Sequence, residues 1–272
     1  QHRFGVMQRS ALRERGTGSP HTLIMSATPI PRTLTLTLYG DLDISTLDEL
    51  PAGRQQVSTG CLAPERRPAA FGFIRKQVEE GRQAFIICPL VEESEVIEAK
   101  AATEEYEMLS QEIFPGLKLG LLHGRMPSKD KDHVMRRFRD GELDILVSTA
   151  VVEVGIDVAN ASVMMIEGAE RFGLSQLHQF RGRVGRGEHK SYCFLVSESQ
   201  SEVARERLSA MVQIHDGFRL AEADLEIRGP GDFFGTRQSG LPNLRMAHLS
   251  DRQLLESARD EATRVMQQDP EL

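Results

Sequence analysis

The sequence has few cysteines and no long apolar run, and each of these two features excludes a class of protein. It also has no tryptophan. The three cysteines (Cys61, Cys88 and Cys193) are odd in number, far apart and not in CxxC spacing. They argue against a disulfide framework or a cysteine-based zinc site and favour a reducing compartment. No apolar run approaches the roughly 20 residues that a membrane span needs, and nothing resembles a signal peptide. We therefore expect a cytoplasmic protein without a membrane partner.

Several catalytic motifs are also missing. No glycine is followed by lysine, so the GxxxxGK[ST] loop that cradles nucleotide phosphates is absent. The eight histidines show no HExxH or comparable ligand spacing, and no GxSxG elbow exists. Gly229, Gly231 and Gly235 do not form GxGxxG. These absences argue against a serine hydrolase and a dinucleotide site, and we predict no metal ligands.

The distribution of charge matters more than its sum, which is −7 over 272 residues. Residues 92–112 carry eight Glu and one Lys, so this segment alone accounts for −7. Residues 120–139 hold six Arg or Lys against two Asp, and residues 171–190 hold five against one Glu. Because contact with nucleic acid depends on a local basic face, a polyanionic partner stays possible.

Short β-rich runs alternate with helical patterns along the chain. The runs are 22–26, 84–88, 117–122, 143–148, 162–167 and 191–196. Most are almost continuously apolar, as strands are when both faces of a parallel sheet are buried. Amphipathic spacing predicts helices ending at Gly81, over residues 99–113, from a capping Ser128 to Gly141, and near 200–214. Strands alternating with helices predict an α/β fold with a parallel sheet flanked by helices.

The sharpest local signal is Gln179-Phe180-Arg181-Gly182-Arg183-Val184-Gly185-Arg186. On a helix, Gln179, Arg183 and Arg186 would share one face, at positions i, i+4 and i+7. Two guanidiniums held together without an acidic neighbour favour an anionic partner. A solvated basic helix is the alternative, although Gly182 and Gly185 would destabilise a helix interior.

This segment resembles the sixth motif of superfamily-2 helicases, and other motifs follow the same order. Ser26-Ala27-Thr28-Pro29 resembles motif III, residues 85–90 motif IV, Leu122-His123-Gly124 the motif after it, and residues 145–158 motif V. QHRFG at the start, MSATPIPRT, AERFGLSQLHQFRGRVGRG and LEIRGPGDFFGTRQSG together resemble the RecG family of ATP-dependent DNA helicases. The last of these segments also resembles the translocation motif of the transcription-repair coupling factor Mfd.

The resemblance implies a role for each matching residue. Arg183 and Arg186 would act as catalytic arginines reaching the ATP phosphates, and Gln179 would position the nucleotide. Gly155 and Asp157 would bind or sense nucleotide. The residues implied in contacting DNA or coupling it to ATP hydrolysis are Ser26, Thr28, His123, Thr149, Arg228 and Gln238. ATP and Mg²⁺ would be cofactors of the intact enzyme, and this chain, which lacks the phosphate loop and the two motif II acids, should be inactive alone.

The resemblance also implies the domain organisation and the partner. We expect residues 1–60 to be the tail of a first RecA-like domain and residues 61–198 a second RecA-like domain. Residues 199–272 would form a helical, loop-rich translocation element. The missing N-terminal and first RecA-like domains would be partners on the same polypeptide, and the substrate would be branched double-stranded DNA, such as stalled forks and Holliday junctions.

Other functions remain open at this point. An Mfd-like translocase would be the same class of motor with RNA polymerase as its partner. An RNA helicase is disfavoured because the segment from 228 to 240 would have no purpose there. A non-catalytic nucleic-acid-binding module could retain the helicase fold without turnover. Measuring ATP turnover after the missing domain is supplied separates that module from a motor.

Overall fold

The computed structural model describes residues 23, 25–26, 45–47, 49, 54–88, 95–153, 157–228 and 252–268. The strands are β1 Ser58–Leu62, β2 Gln83–Ile87, β3 Leu119–Leu122, β4 Ile145–Ser148, β5 Ala161–Ile166 and β6 Tyr192–Val196. The helices are α1 Arg67–Glu79, α2 Glu95–Met108, α3 Ser128–Arg139, α4 Leu174–Arg181, α5 Glu202–Gln213, α6 Gly217–Arg228 and α7 Arg252–Gln268. Short 3-10 turns lie at Pro64–Arg66, Ala150–Glu153 and Ala169–Arg171, and the π-helical turn Leu109–Ile113 follows α2.

The six strands form one parallel sheet in the order β1-β6-β5-β2-β4-β3. The chain moves from β1 through β2 to the edge strand β3 and then returns through β4 and β5 to β6. Crossovers between parallel strands are almost always right-handed, so the outward and return connections lie on opposite faces. Helices α1 and α2 therefore cover one face, and α3 and α4 cover the other.

Two hydrophobic clusters, one on each face, confirm this layering. Successive residues of β2 alternate between them: Phe85 and Ile87 belong to the cluster with α3 and α4, whereas Ala84 and Ile86 belong to the cluster with α1 and α2. Side chains of a strand point alternately to its two faces, and here both faces are covered. The continuous apolar runs in the sequence have this cause, and the predicted α/β parallel sheet is confirmed.

Five of the six predicted strand runs coincide with β2 to β6. The run at 22–26 is different. Its described residues do not lie in a strand, and Leu23 and Met25 are 81% and 72% exposed. A strand is defined by a ladder of hydrogen bonds to a neighbouring strand, and the described residues of this run are assigned to none.

Strand β1 is a feature that the sequence pattern did not predict. It contains Ser58 and Gly60, residue types that are depleted in strands, and none of its residues is fully buried. Its place at the sheet edge, paired with β6 alone, explains the weak pattern. The strand crosses residue 60, the boundary expected between the first two domains, and that division stays a prediction.

The helices before and after the Gln179–Arg186 segment agree with the sequence except at two points. Gly81 and Gly141 follow α1 and α3 with φ of +82° and +76°, as expected of glycines that end helices. Ser128, however, is the first residue of α3 rather than its cap, because Pro127 holds the cap position and no side chain caps the helix. Helix α6 was not predicted, although Asp216 marks its start by accepting a hydrogen bond from the Arg219 amide at 2.7 Å.

Candidate functional site

The segment Gly182–Arg186, here called the arginine loop, lies beyond the end of α4. The prediction that Arg183 and Arg186 continue one helical face with Gln179 is therefore wrong. The helix ends at Arg181, Gly182 occupies the C-cap, and Gly185 adopts a φ of +76°, which turns the chain out of helical geometry. The glycines that disfavoured a solvated helix are the residues that end it and shape the loop.

Close packing against the chain before β1 fixes the arginine loop. A Cβ atom on Gly185 would lie 2.9 Å from Val57 Cγ2 and 3.3 Å from the Gln55 carbonyl oxygen. The Gln55 amide donates a hydrogen bond to the Glu188 carbonyl at 2.8 Å. At Gly187, directly after the arginine loop, a Cβ atom would overlap the Ala159 carbonyl oxygen. Glycine is required here by both conformation and space.

Two arginines converge on one carbonyl oxygen of this loop. Arg186 Nε donates to the Gly182 oxygen at 2.9 Å, and Arg54 Nη2 donates to the same atom at 3.0 Å. Arg186 Nη1 also forms an ion pair with Asp157 Oδ1 at 3.2 Å, where the Arg186 and Asp157 side chains are 28% and 74% exposed. Burial, and then the charge of Arg186, lower the pKa of Arg54, while Asp157 opposes this. Two cations and one carboxylate leave an excess of positive charge beside solvent, which suits an anionic ligand.

The structure places the residues expected to handle nucleotide at one end of the sheet. Arg54 precedes β1, Asp157 precedes β5, and the arginine loop precedes β6, so all three lie by the amino ends of their strands. Arg183 lies half-buried in the loop and Gln179 half-buried in α4. Gly155, the remaining residue of this set, lies outside the described residues.

Arg181 is a buried arginine that the sequence reasoning did not single out. Its side chain leaves the end of α4 and donates to the carbonyls that end α5, with Nη1 2.7 Å from the Met211 oxygen and Nη2 3.0 Å from the Ile214 oxygen. The negative end of the α5 dipole suits this cation. Burial lowers the pKa of Arg181. The residue ties the helix that carries the arginine loop to the pair formed by α5 and α6.

Two of the six residues expected to contact DNA, His123 and Thr149, lie at the opposite, carboxyl end of the sheet. His123 follows β3 and Thr149 follows β4, and the Thr149 amide donates to the Leu122 carbonyl at 3.1 Å, which brings the two neighbours together. Thr149 is only 2% exposed. Among the described residues, neither Thr149 Oγ1 nor His123 Nδ1 has a hydrogen-bond partner. Buried polar atoms normally have one, so these two atoms can accept a further hydrogen-bond partner.

Two cations lie near His123 at this end of the sheet. Burial lowers the pKa of His123, and the nearby cations Lys131 and Arg125 lower it further. Lys131 Nζ donates to the Gly124 carbonyl, which holds it beside the start of α3. Ser26, expected in the same group, is exposed and lies outside any strand or helix, and Thr28 and Gln238 lie outside the described residues. Arg228 is the last residue of α6.

A third polar cluster, at the carboxyl ends of β5 and β6, is structural in character. Arg67 Nη2, at the start of α1, pairs with Glu167 Oε2 at 2.8 Å and with Glu198 Oε1 at 3.3 Å. Burial raises the pKa of Glu167 and Arg67 opposes this. In the described part of the chain, no three His, Cys, Asp or Glu side chains are arranged to hold a metal ion. No helix there is long and apolar enough to span a membrane.

Two family models match successive parts of the chain. The model of the helicase conserved C-terminal domain matches residues 69–188, which include the sheet from β2 to β5 and the arginine loop. The model of domain 3, C-terminal, of the ATP-dependent DNA helicase RecG matches residues 214–272. The chain belongs to the RecG family. This second match favours RecG over the Mfd-like translocase for the C-terminal segment.

Curated relatives agree along the full length of the chain. It is 55% identical to the ATP-dependent DNA helicase RecG of Synechocystis sp. over 273 residues, covering 100% of this chain and 33% of that protein. It is 50% identical to the RecG of Bacillus subtilis, covering 99% of this chain and 39% of that protein. A solved structure of RecG bound to a three-way DNA junction matches with a TM-score of 0.71 and 48% identity, over 94% of this chain and 32% of that one. The chain thus spans little more than a third of the length of these relatives.

Proposed function

We propose that the intact protein hydrolyses ATP and uses the released free energy to remodel branched double-stranded DNA. Support comes from the RecG relatives, which are named ATP-dependent DNA helicases, and from the similar structure, which is bound to a three-way junction. This chain would supply the arginine side of the ATP site and part of the DNA contact. The phosphate loop and the motif II acids would come from the first RecA-like domain of the same polypeptide.

The arginine loop is the observation that carries this proposal. Its excess of guanidinium over carboxylate and its tight glycine packing fit a phosphate ligand held against a rigid backbone. Arg183 and Arg186 would contact the phosphates, Gln179 would orient the nucleotide, and Asp157 with Gly155 would face its other polar groups. ATP, when bound, supplies the phosphoryl group whose transfer these cations stabilise, an effect of about 10³ to 10⁵ in rate. Mg²⁺ would be held outside this chain.

The carboxyl end of the sheet would contact the DNA backbone. The Thr149 hydroxyl and the His123 imidazole, which lack partners among the described residues, can bind phosphate oxygens through hydrogen bonds. Lys131 and Arg125 add positive charge beside them. Ser26 and Thr28 would act from the first RecA-like domain, in the segment that links ATP hydrolysis to DNA.

The segment from 199 to 272 would convert closure of the ATP site into movement along duplex DNA. Arg228, which ends α6, and Gln238, beyond the described residues, would be the coupling contacts. Arg181 fits this role of the segment, because it joins the end of α4 to the end of α5. The variant Arg228→Ala should keep ATP hydrolysis and DNA binding while losing unwinding.

The deciding experiment measures ATP hydrolysis and strand separation by the intact protein on forked and linear duplex DNA. We expect DNA-stimulated hydrolysis and ATP-dependent separation of the fork. The 272-residue chain alone, which has no phosphate loop, should hydrolyse no ATP above background under the same conditions. Binding of forked DNA by the intact protein without any ATP turnover would overturn the motor and support a non-catalytic module.

A further inference from the structure

The segment just before β1 contains an arginine that neither the motifs nor the family models assign. Arg54 lies outside the matched residues 69–188 and 214–272. Its Nη2 atom donates to the Gly182 oxygen at 3.0 Å across 128 residues of sequence. That oxygen also accepts from Arg186 Nε at 2.9 Å. A backbone carbonyl with two lone pairs can accept both bonds at once.

The two hydrogen bonds to the Gly182 oxygen differ in whether they can persist during ATP hydrolysis. Arg186 uses Nη1 for Asp157 and Nε for Gly182, so turning the fork of its guanidinium onto a phosphate would displace Asp157 and put the bond to Gly182 at risk. Arg54 is held by the segment before β1, which also packs on Gly185 through Val57 and binds the Glu188 carbonyl through the Gln55 side chain. The Arg54 bond can therefore persist when the Arg186 bond does not.

We propose that Arg54 is a positioning residue that anchors the backbone of the arginine loop while Arg186 exchanges Asp157 for a phosphate. The proposal rests on the proposed function for the identity of the ligand, although the anchor itself does not. Burial, and then repulsion from the Arg186 guanidinium that shares the Gly182 oxygen, lower the pKa of Arg54, while Asp157 opposes this. This is the direction expected where two cations are held close together beside one carbonyl.

The first test measures the loop without nucleotide. Hydrogen exchange of the intact protein should show faster exchange at the Arg183 and Val184 amides in Arg54→Ala. These amides donate to Phe180 and Arg181 within the turn that Arg54 holds. Exchange in the interior of α4 should not change. Arg205→Ala is the matched control, because it removes an exposed arginine-to-carbonyl hydrogen bond, from Arg205 Nη2 to the Gln200 oxygen, and leaves Gly182 and the segment before β1 untouched.

The second test measures DNA-stimulated ATP hydrolysis by the same variants. Misplacing a catalytic group by about 1 Å can cost up to about a hundredfold, so we expect Arg54→Ala to lower kcat about ten- to a hundredfold with little change in KM for ATP. Arg54→Lys should recover most of the rate, since one donor suffices to reach the Gly182 oxygen. Arg205→Ala should remain close to wild type.

The outcomes are distinguishable. A wild-type protein without DNA-stimulated hydrolysis would refute the proposed function, while the exchange data would still report on the anchor. An active wild type with normal exchange and normal kcat in Arg54→Ala would overturn the anchoring role. A rise in KM alone would also overturn it, because that result means that Arg54 binds ATP in the ground state.

Discussion

The two ends of the parallel sheet treat their polar side chains differently. At the amino end, Arg186 and Arg54 have the Gly182 carbonyl as an acceptor, and Arg186 also has Asp157. At the carboxyl end, Thr149 Oγ1 and His123 Nδ1 have no hydrogen-bond partner among the described residues. An unpaired buried charge destabilises a fold far more than an unpaired hydroxyl, which costs about 1 to 3 kcal/mol.

This difference shows how each end can be ready for a ligand. At the amino end, Arg186 and Arg54 already have acceptors that a phosphate can replace. Neutral donors and acceptors can be left unsatisfied at modest cost, so the carboxyl end needs only to gain bonds. On ligand binding, the amino end would exchange hydrogen-bond and ion-pair partners, whereas the carboxyl end would gain new ones.

The largest expected effect is at the amino end. In the intact protein, Arg186→Ala should lower kcat for DNA-dependent ATP hydrolysis at least about a hundredfold while changing nucleotide affinity much less, because the contact forms mainly in the transition state. Arg183→Ala should behave similarly. Lysine at either position should restore little, since an ammonium lacks the guanidinium fork.

Affinity for forked DNA is the control for the arginine variants. If the two ends are separate, Arg186→Ala should bind forked DNA like the wild type in the absence of ATP. Near-normal hydrolysis in both alanine variants would exclude a catalytic role for the arginine loop. A matching loss of DNA affinity would instead show that the two ends of the sheet do not act separately.

The second prediction concerns the packing that holds the arginine loop. Gly185→Ala places a Cβ 2.9 Å from Val57 Cγ2 at a φ of +76°. Left-handed backbone costs about 1 to 2 kcal/mol in a residue other than glycine, and overpacking adds about 1 kcal/mol or more. Denaturant unfolding of the 272-residue chain should therefore show a loss of roughly 2 to 3 kcal/mol.

Gly72→Ala, on α1, is the matched control for this substitution. No atom lies within 4 Å of the position that its Cβ would take. Alanine in a helix interior is favoured over glycine by up to about 1 kcal/mol, so this variant should be as stable as the wild type or more so. Equal losses in both variants would mean that the loop is not tightly packed.

How far the sequence predicts this arrangement depends on the range of the interactions involved. The strands β2 to β6 were predictable because burial on both faces leaves continuous apolar runs. Edge strand β1 was not, since a strand with one neighbour and half-exposed residues such as Ser58 and Gly60 has no such pattern. Helix α6 could have been found from its capping Asp216 and from the helical spacing of Leu220, Ala221 and Leu225.

Long-range interactions also limited what the sequence could predict about the site. Arg183, Arg186 and Asp157 were found through motifs, but the meeting of Arg186 with Asp157 depends on the order of β5 and β6 in the sheet. Arg54 and Arg181 act through backbone carbonyls far along the chain, and a carbonyl leaves no mark in a sequence. The expected helical face of Arg183 and Arg186 failed because Gly182 and Gly185 end and turn the helix.

The third prediction concerns how the stability of the amino end depends on pH. Burial, then Arg181 and Arg54, lower the pKa of His178 from 6.5 to about 4, with Asp216 opposing. The unfolded chain therefore binds this proton at higher pH than the folded chain, so stability is lost as pH falls from about 6.5 towards 4. One pKa unit is about 1.4 kcal/mol, so the loss is at most about 3 kcal/mol.

Unfolding of the 272-residue chain between pH 7 and 4 tests this reasoning. His178→Gln keeps an acceptor for Arg181, which lies 3.3 Å from His178 Nδ1, and removes the titration. Its stability should fall less steeply with pH than that of the wild type. His133→Gln, at an exposed position of α3, should follow the wild-type curve. Identical slopes in all three proteins would mean that His178 is not held neutral beside the two arginines.

The smallest effect concerns the carboxyl end, where two adjacent hydroxyls differ in their hydrogen bonds. Ser148 Oγ donates to the Thr149 carbonyl at 2.9 Å, whereas Thr149 Oγ1 has no partner among the described residues. Ser148→Ala should destabilise the chain by about 1 kcal/mol, the net value of a typical hydrogen bond. Thr149→Val removes only an unsatisfied group of similar shape, so the free energy of unfolding should stay the same or rise by up to about 1 kcal/mol.

In the intact protein the order should reverse. Thr149→Val should weaken binding to forked DNA about tenfold, the value of one hydrogen bond to a charged phosphate, and Ser148→Ala should leave DNA binding near wild type. A Thr149→Val chain that unfolds more easily would mean that the hydroxyl already has a partner, and the carboxyl end would then exchange partners as the amino end does.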